Sequence, residues 1–249
     1  MAEASDKYME QSRRPLTSLA FLVPLLVLYE GGIIALGADA LRNGPEVWLR
    51  SLLATLDFGQ YFLLPVLIVG SLLAWHHTTG DPWRVSPGVV LAMFVECAVL
   101  AFLLLLLAQS QRWFEGHLNA MLPSLRIQAQ IDPKEIGKFI GYIGAGIYEE
   151  FLFRLMLIPL VSALVGLLAS LLRIERRLQL FKPVIAVLVT SLLFSAAHYI
   201  GAEGFEWSTF VFRFIAGVFF AVLFLHRGFG VAAGTHAAYD LYTLAFTAG

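Results

Sequence analysis

Charge is scarce in this chain. Of its 249 residues only 14% are Asp, Glu, Lys or Arg, against about 25% in an ordinary soluble domain, and 59% are apolar. The mean hydropathy is +0.76. A soluble domain of this length has no interior large enough for so much apolar surface, which places the chain in a lipid bilayer. It is expected to form one integral membrane domain over 1–249. A net charge of −1 gives no basic excess to hold phosphate groups, so nucleic acid is not an expected partner. Cysteine is nearly missing too. The single Cys97 excludes an intrachain disulfide and a cysteine metal cluster, and its apolar surroundings predict a buried small side chain. No internal repeat or low-complexity tract is visible. A cleavable signal peptide is not expected either: the first apolar run follows a leader holding Lys7, Arg13 and Arg14, is long enough to span, and precedes no A-x-A-like site.

What is abundant is the apolar run of about 20 residues that a membrane-crossing helix needs. The candidates are Leu16–Gly37, Phe58–Trp75, Pro87–Ala108, Lys138–Ile158, Pro159–Leu172, Pro183–Ile200, Thr209–His226 and Gly230–Thr247. The expected fold is therefore all-α, a polytopic bundle of about eight helices, with N-terminal spans in 16–108 and a C-terminal group of spans in 136–247. The short run Pro159–Leu172 continues from Ile158 across a proline, which would kink the helix or begin a new one, so the piece is expected to be re-entrant or to span at an angle. Ala38–Asp57 has the leucine spacing of an amphipathic interfacial helix. Gln109–Glu135 is the longest polar interval. Basic residues favour the cytoplasmic side. The leader and the basic loop at Arg173, Arg176, Arg177 and Lys182 fall on opposite sides if Pro159–Leu172 crosses fully, and on one side if it does not. The cytoplasmic membrane of a prokaryote is the expected location.

A charge at mid-bilayer costs roughly 2.5–3.5 kcal/mol on insertion scales, so polar residues in the apolar runs call for a partner or a function. In GAGIYEEFLFRLMLIP, Glu150 and Arg154 are four apart and share a helix face. Glu149, about 100° round the helix, is left to point elsewhere. In FSAAHY, Phe194 and His198 are again four apart, and the small residues after Phe194 let another helix approach. In GTHAAYDLY the same spacing joins His236 and Asp240, which could share a proton, orient each other or bind a metal. Singly, each reads equally as structural: an ion pair locking a helix, a buried histidine, a His–Asp bond tying two helices. Together they place Glu149, His198, His236 and Asp240 on three apolar spans. If those spans pack side by side, the four converge on one buried reaction centre with Glu150 and Arg154 as local support. Glu30 and Glu96, in other spans, read as interface or helix-packing residues.

The order and placement of EEFLFR, FSAAH and HAAYD, fitting EExxxR, FxxxH and Hxxx(N/D), resemble the CPBP family of intramembrane proteases, also called the Abi or CAAX-prenyl-protease type. The resemblance covers Ile140 to Leu244. It implies a bundle of about eight transmembrane helices that hydrolyses a peptide bond within the membrane. The substrate would be a peptide or membrane protein. Glu149 and His198 would activate a water, while His236 and residue 240 would hold the oxyanion or orient the water. Glu150, Arg154 and Phe194 would be supports. Residue 240 is often asparagine in relatives. An ionised Asp240 cannot donate to an oxyanion, so it would be protonated or would orient His236.

No HExxH motif is present, and a glutamate-activated water needs no metal, so no cofactor is expected. The alternative is zinc held by Glu149, His198, His236 and Asp240. Two other readings compete: a non-catalytic immunity or scaffold protein of the same fold, and a proton-coupled transporter, whose relays also use buried Glu, His and Asp. A transporter more often shows a repeated half. The sequence specifies neither the substrate nor the oligomeric state.

Overall fold

The computed structural model describes residues 2–37, 42, 44–55, 63–119, 135–174, 180–200 and 204–247. Among these every regular element is helical. In order along the polypeptide they are α1 (Ala2–Arg13), α2 (Pro15–Leu36), α3 (Gly44–Thr55), α4 (Leu63–Thr79), α5 (Pro87–Asn119), α6 (Glu135–Glu150), a wide turn at Phe151–Met156, α7 (Leu157–Leu171), α8 (Lys182–Ala197), α9 (Trp207–Arg227) and α10 (Phe229–Thr247). Four stretches are long and apolar enough to cross a bilayer: Pro15–Leu36, Pro87–Gln111, Ile136–Leu171 and Trp207–Arg227, with Lys182–Ala197 a shorter apolar helix. A polytopic helical bundle is what the composition predicts. The number of crossings is not fixed at eight by these helices.

No new helix begins at Pro159. Ile136–Leu171 is one helix of 36 residues, about 54 Å long at 1.5 Å per residue. Its second half does not return as a separate segment. Instead, the helix contains a π-type turn, closed by the Leu157 N–H on the Leu152 carbonyl five residues back. The extra residue lies just before Pro159, where the missing N–H and the ring would otherwise disrupt the bonding to Leu155.

One continuous rod also brings the two basic segments to one end of the bundle. Arg14 Nε lies 3.6 Å from Asp81, just after α4, and Arg13 donates to the Leu225 carbonyl near the end of α9. Since α9 ends there, α8 starts there, and Arg173 and Lys182 share that end with Arg13 and Arg14. Arg176 and Arg177 lie outside the described residues, as do 38–41, Leu56, Asp57, the start of the Phe58 run and 120–134 of the Gln109–Glu135 interval.

Helix α10 is the axis of the bundle. Residues 229–237 are all buried, and the helix packs against α2, α5, α6 and α9. Its contact with α6 is close because of Gly146: a Cβ there would meet the Ala237 backbone nitrogen at 2.5 Å. Gly217 does the same for α8 and α9, where a Cβ would lie 3.0 Å from Ser191. Cys97 is buried in the core, its thiol near the Val231 carbonyl.

Helix α3, within the stretch read as amphipathic, buries one face on the bundle and exposes the other. Leu52 is exposed, but Pro45, Glu46 and Leu49 are buried against the bundle. The fully buried Glu46 accepts hydrogen bonds from Tyr29, Arg42 and Arg50. Glu30, for which the sequence offered no partner, accepts from Tyr148 at 2.5 Å and faces Arg50 at 3.7 Å. Glu96 likewise has partners: it takes Arg227 through two bonds of 2.6 and 2.7 Å, and the Tyr8 hydroxyl at 2.5 Å.

Candidate active site

Three helices bring the sequence-predicted residues to one place. α6 ends with Glu149 and Glu150, the turn after α8 carries His198, and α10 carries His236 and Asp240. Glu149 Oε2 lies 3.8 Å from His198 Nε2 and 3.8 Å from His236 Nε2. His236 Nε2 is 3.6 Å from Asp240 Oδ2. The four polar tips thus converge on one point. They line a cavity of about 620 Å³ between α6 on one side and α8 and α9 on the other, backed by α10.

Each imidazole is held from behind. His198 Nδ1 is 2.9 Å from the Phe194 carbonyl. A carbonyl can only accept, so Nδ1 carries the hydrogen and Nε2 presents its lone pair toward Glu149 when the ring is neutral. His236 Nδ1 is 2.8 Å from Glu150 Oε1. With Glu150 ionised, this nitrogen donates and Nε2 again faces Glu149. The ring of His236 stacks on Phe220, with centroids 4.5 Å apart and planes 16° apart. Phe194 meets both His198 and His236 edge-on.

Behind Glu150 stands Arg154, 1% exposed. Its Nε is 3.1 Å from Glu150 Oε2, and its Nη2 donates to the Gly217 carbonyl at 3.3 Å. Its guanidinium lies 4.4 Å from the centre of the Phe194 ring, a cation–π contact. The helix-face argument anticipates the Glu150–Arg154 pair. It does not reveal that Glu150 also reaches across to His236, so that Arg154, Glu150 and His236 form a buried relay. Nor did any motif mark Phe220, whose place opposite His236 depends on how α9 packs on α10.

Glu149 Oε2 is buried without a hydrogen-bond partner among the described residues. A gap of 3.8 Å to each histidine is too wide for a direct bond. It suits a water placed off the line between them, in hydrogen-bond reach of both sides. Among the described residues no group of three or more His, Cys, Asp or Glu side chains is arranged to hold a metal ion.

Residues 136–242, a little under half the protein, match the family model described as type II CAAX prenyl endopeptidase Rce1-like. No curated protein and no solved structure matches. The matched segment begins in α6 and ends in α10, taking in every residue of the converging group. That match is consistent with the CPBP, or CAAX-protease-type, family, the one the three motifs resemble.

Proposed function

We propose that this protein is an intramembrane endopeptidase that hydrolyses a peptide bond with a water activated by Glu149 and His198. The observation that carries the reading is the unbonded Glu149 Oε2, on the cavity wall 3.8 Å from both His198 Nε2 and His236 Nε2. Glu149 takes a proton from the water as the oxygen attacks the carbonyl carbon, and His198 Nε2 orients that water by accepting its second hydrogen. The tetrahedral oxygen is then stabilised by His236, which donates from Nε2 as an imidazolium because Nδ1 is already engaged by Glu150. The proton on Glu149 passes to the leaving amine as the C–N bond breaks. Asp240, an acceptor when ionised, faces His236 Nε2 at 3.6 Å in the resting site and yields that N–H to the oxyanion rather than donating to it.

No metal is needed for these steps. Zinc remains the alternative at Glu149, His198, His236 and Asp240, where it would polarise the carbonyl or the water. The matched family model is described as a type II CAAX prenyl endopeptidase. For this protein a peptide or membrane-protein substrate is proposed without requiring the prenyl group. The test is incubation of the purified protein, in detergent, with a mixed peptide library, reading new termini by mass spectrometry. Cleavage is expected. A library left intact would favour the non-catalytic scaffold reading.

A further inference from the structure

A second cavity lies at the end of the bundle that holds Arg13 and Arg14, and it shares no residue with the catalytic one. It measures about 400 Å³ and is bounded by α1, the start of α2 and the end of α4. Its wall carries charges of both signs: Asp6, Glu10 and Asp81 beside Arg13 and Arg14, with Trp75 among them. These charges do not cancel in place. Arg14 Nη2 reaches Glu10 at 2.5 Å, but Arg14 Nε is buried with no hydrogen-bond partner among the described residues. It stands 3.6 Å from Asp81 Oδ1, beyond bonding distance. Arg13 gives Nη2 to the Leu225 carbonyl at 3.4 Å, and a guanidinium has five N–H donors in all. The α1 wall is packed in position. Tyr8 donates to Glu96 of α5, and a Cβ on Gly228 would come within 3.0 Å of the Arg13 carbonyl oxygen.

We propose that this cavity binds the headgroup of a phospholipid bearing a primary ammonium beside its phosphate, as in phosphatidylethanolamine, with Arg13 and Arg14 on the phosphate and Asp6 and Asp81 on the ammonium. The mixed charge selects the ligand. A purely anionic headgroup would meet three carboxylates with nothing to offset them, and a simple cation would leave the arginines unmatched. A zwitterion answers both. Arginine holds a phosphate through charge-assisted N–H donors, and a primary ammonium offers three donors to the carboxylates. The quaternary nitrogen of choline offers none. Position points to a lipid rather than a soluble zwitterion. The cavity lies where α2 begins its apolar crossing, and tryptophan such as Trp75 is enriched at the level of lipid headgroups. Further along, α2 exposes Val23 and Val27 and α4 exposes Val66 and Leu67, apolar surface for acyl chains.

The test is native mass spectrometry of the full-length protein in mild detergent, titrated with dioleoyl phosphatidylethanolamine, phosphatidylcholine or phosphatidylglycerol. The ethanolamine lipid is expected to bind about tenfold more tightly than either of the others, the size of a charge-assisted contact. Asp6→Asn, at an exposed position, and Asp81→Asn should each narrow its lead over the choline lipid, and together remove it. Arg14→Gln should weaken the ethanolamine and choline lipids alike. Glu206→Gln, at the other end of α9 from Arg227, should change nothing. Soluble phosphoethanolamine should compete only at concentrations far above those of the lipid. Competition at the lipid's own concentration would assign the cavity to a soluble zwitterion and overturn the lipid site. Equal binding of the three lipids, a preference for phosphatidylglycerol, or an ethanolamine preference that survives Asp6→Asn and Asp81→Asn combined would overturn it as well.

Discussion

Glu150 Oε1 and His236 Nδ1 lie 2.8 Å apart, joining α6 to α10 in the buried centre of the bundle. This contact makes one of the two adjacent glutamates a positioning residue. Glu149 faces the cavity; Glu150 faces inward, between His236 and Arg154.

Glu150→Gln keeps an oxygen that can accept from Nδ1 but loses the charge that favours an imidazolium. The expected result is a fall in kcat on the order of 10²-fold or more, with KM little changed, as for a residue acting through a histidine. The check is steady-state kinetics across pH. A raised KM with unchanged kcat would place Glu150 in substrate binding instead.

Arg154→Ala removes the cation that neutralises Glu150 and fills the space against Phe194 and Gly217. Leaving one partner of a buried pair alone costs about 3–5 kcal/mol. Thermal unfolding in detergent should show a large drop in stability. Arg154→Lys should restore only part of it, because an ammonium cannot stack as a guanidinium does. A variant as stable as wild type but inactive would make Arg154 part of the chemistry.

Asp240→Asn separates orientation from metal binding. Asparagine can still accept from His236, and it can donate where aspartate cannot. Much of the activity should remain, a chelator should not inhibit, and elemental analysis should find zinc well below one per protein molecule. Joint loss of zinc and activity in the variant would make Asp240 a ligand.

Glu96→Gln tests a site far from the chemistry. It strips the carboxylate from the two Arg227 bonds and the Tyr8 bond that tie α1, α5 and α9 together. The Glu96 side chain is 21% exposed, which lowers the cost below that of a fully buried pair, to about 2–3 kcal/mol. Unfolding should shift accordingly while kcat of the folded protein stays the same. Tyr8→Phe should cost about 1 kcal/mol.

Legibility from sequence followed the range of each interaction. Glu150–Arg154, Phe194–His198 and His236–Asp240 are each four apart, so helical geometry alone puts each pair on one face. The scarcity of charge marks those residues within apolar runs. What joins one helix to another was not readable. Glu150 to His236, Phe220 over His236, and Glu96 to Arg227 depend on packing that no local spacing encodes. The partners of Glu30 are 20 residues downstream in Arg50 and far along the sequence in Tyr148. Pro159 left several readings open for a local reason: its effect is absorbed by a wide turn, which leaves no mark in the residue pattern.

The most direct measurement is the rate of peptide hydrolysis by purified Glu149→Gln protein, beside wild type and in the presence of a chelator. Glutamine keeps the size of the side chain and removes the base. General-base assistance is worth about 10²–10⁴-fold, so the variant should fold like wild type and lose at least 10²-fold in kcat. Chelator should leave the wild-type rate unchanged. Full activity in Glu149→Gln would contradict the account.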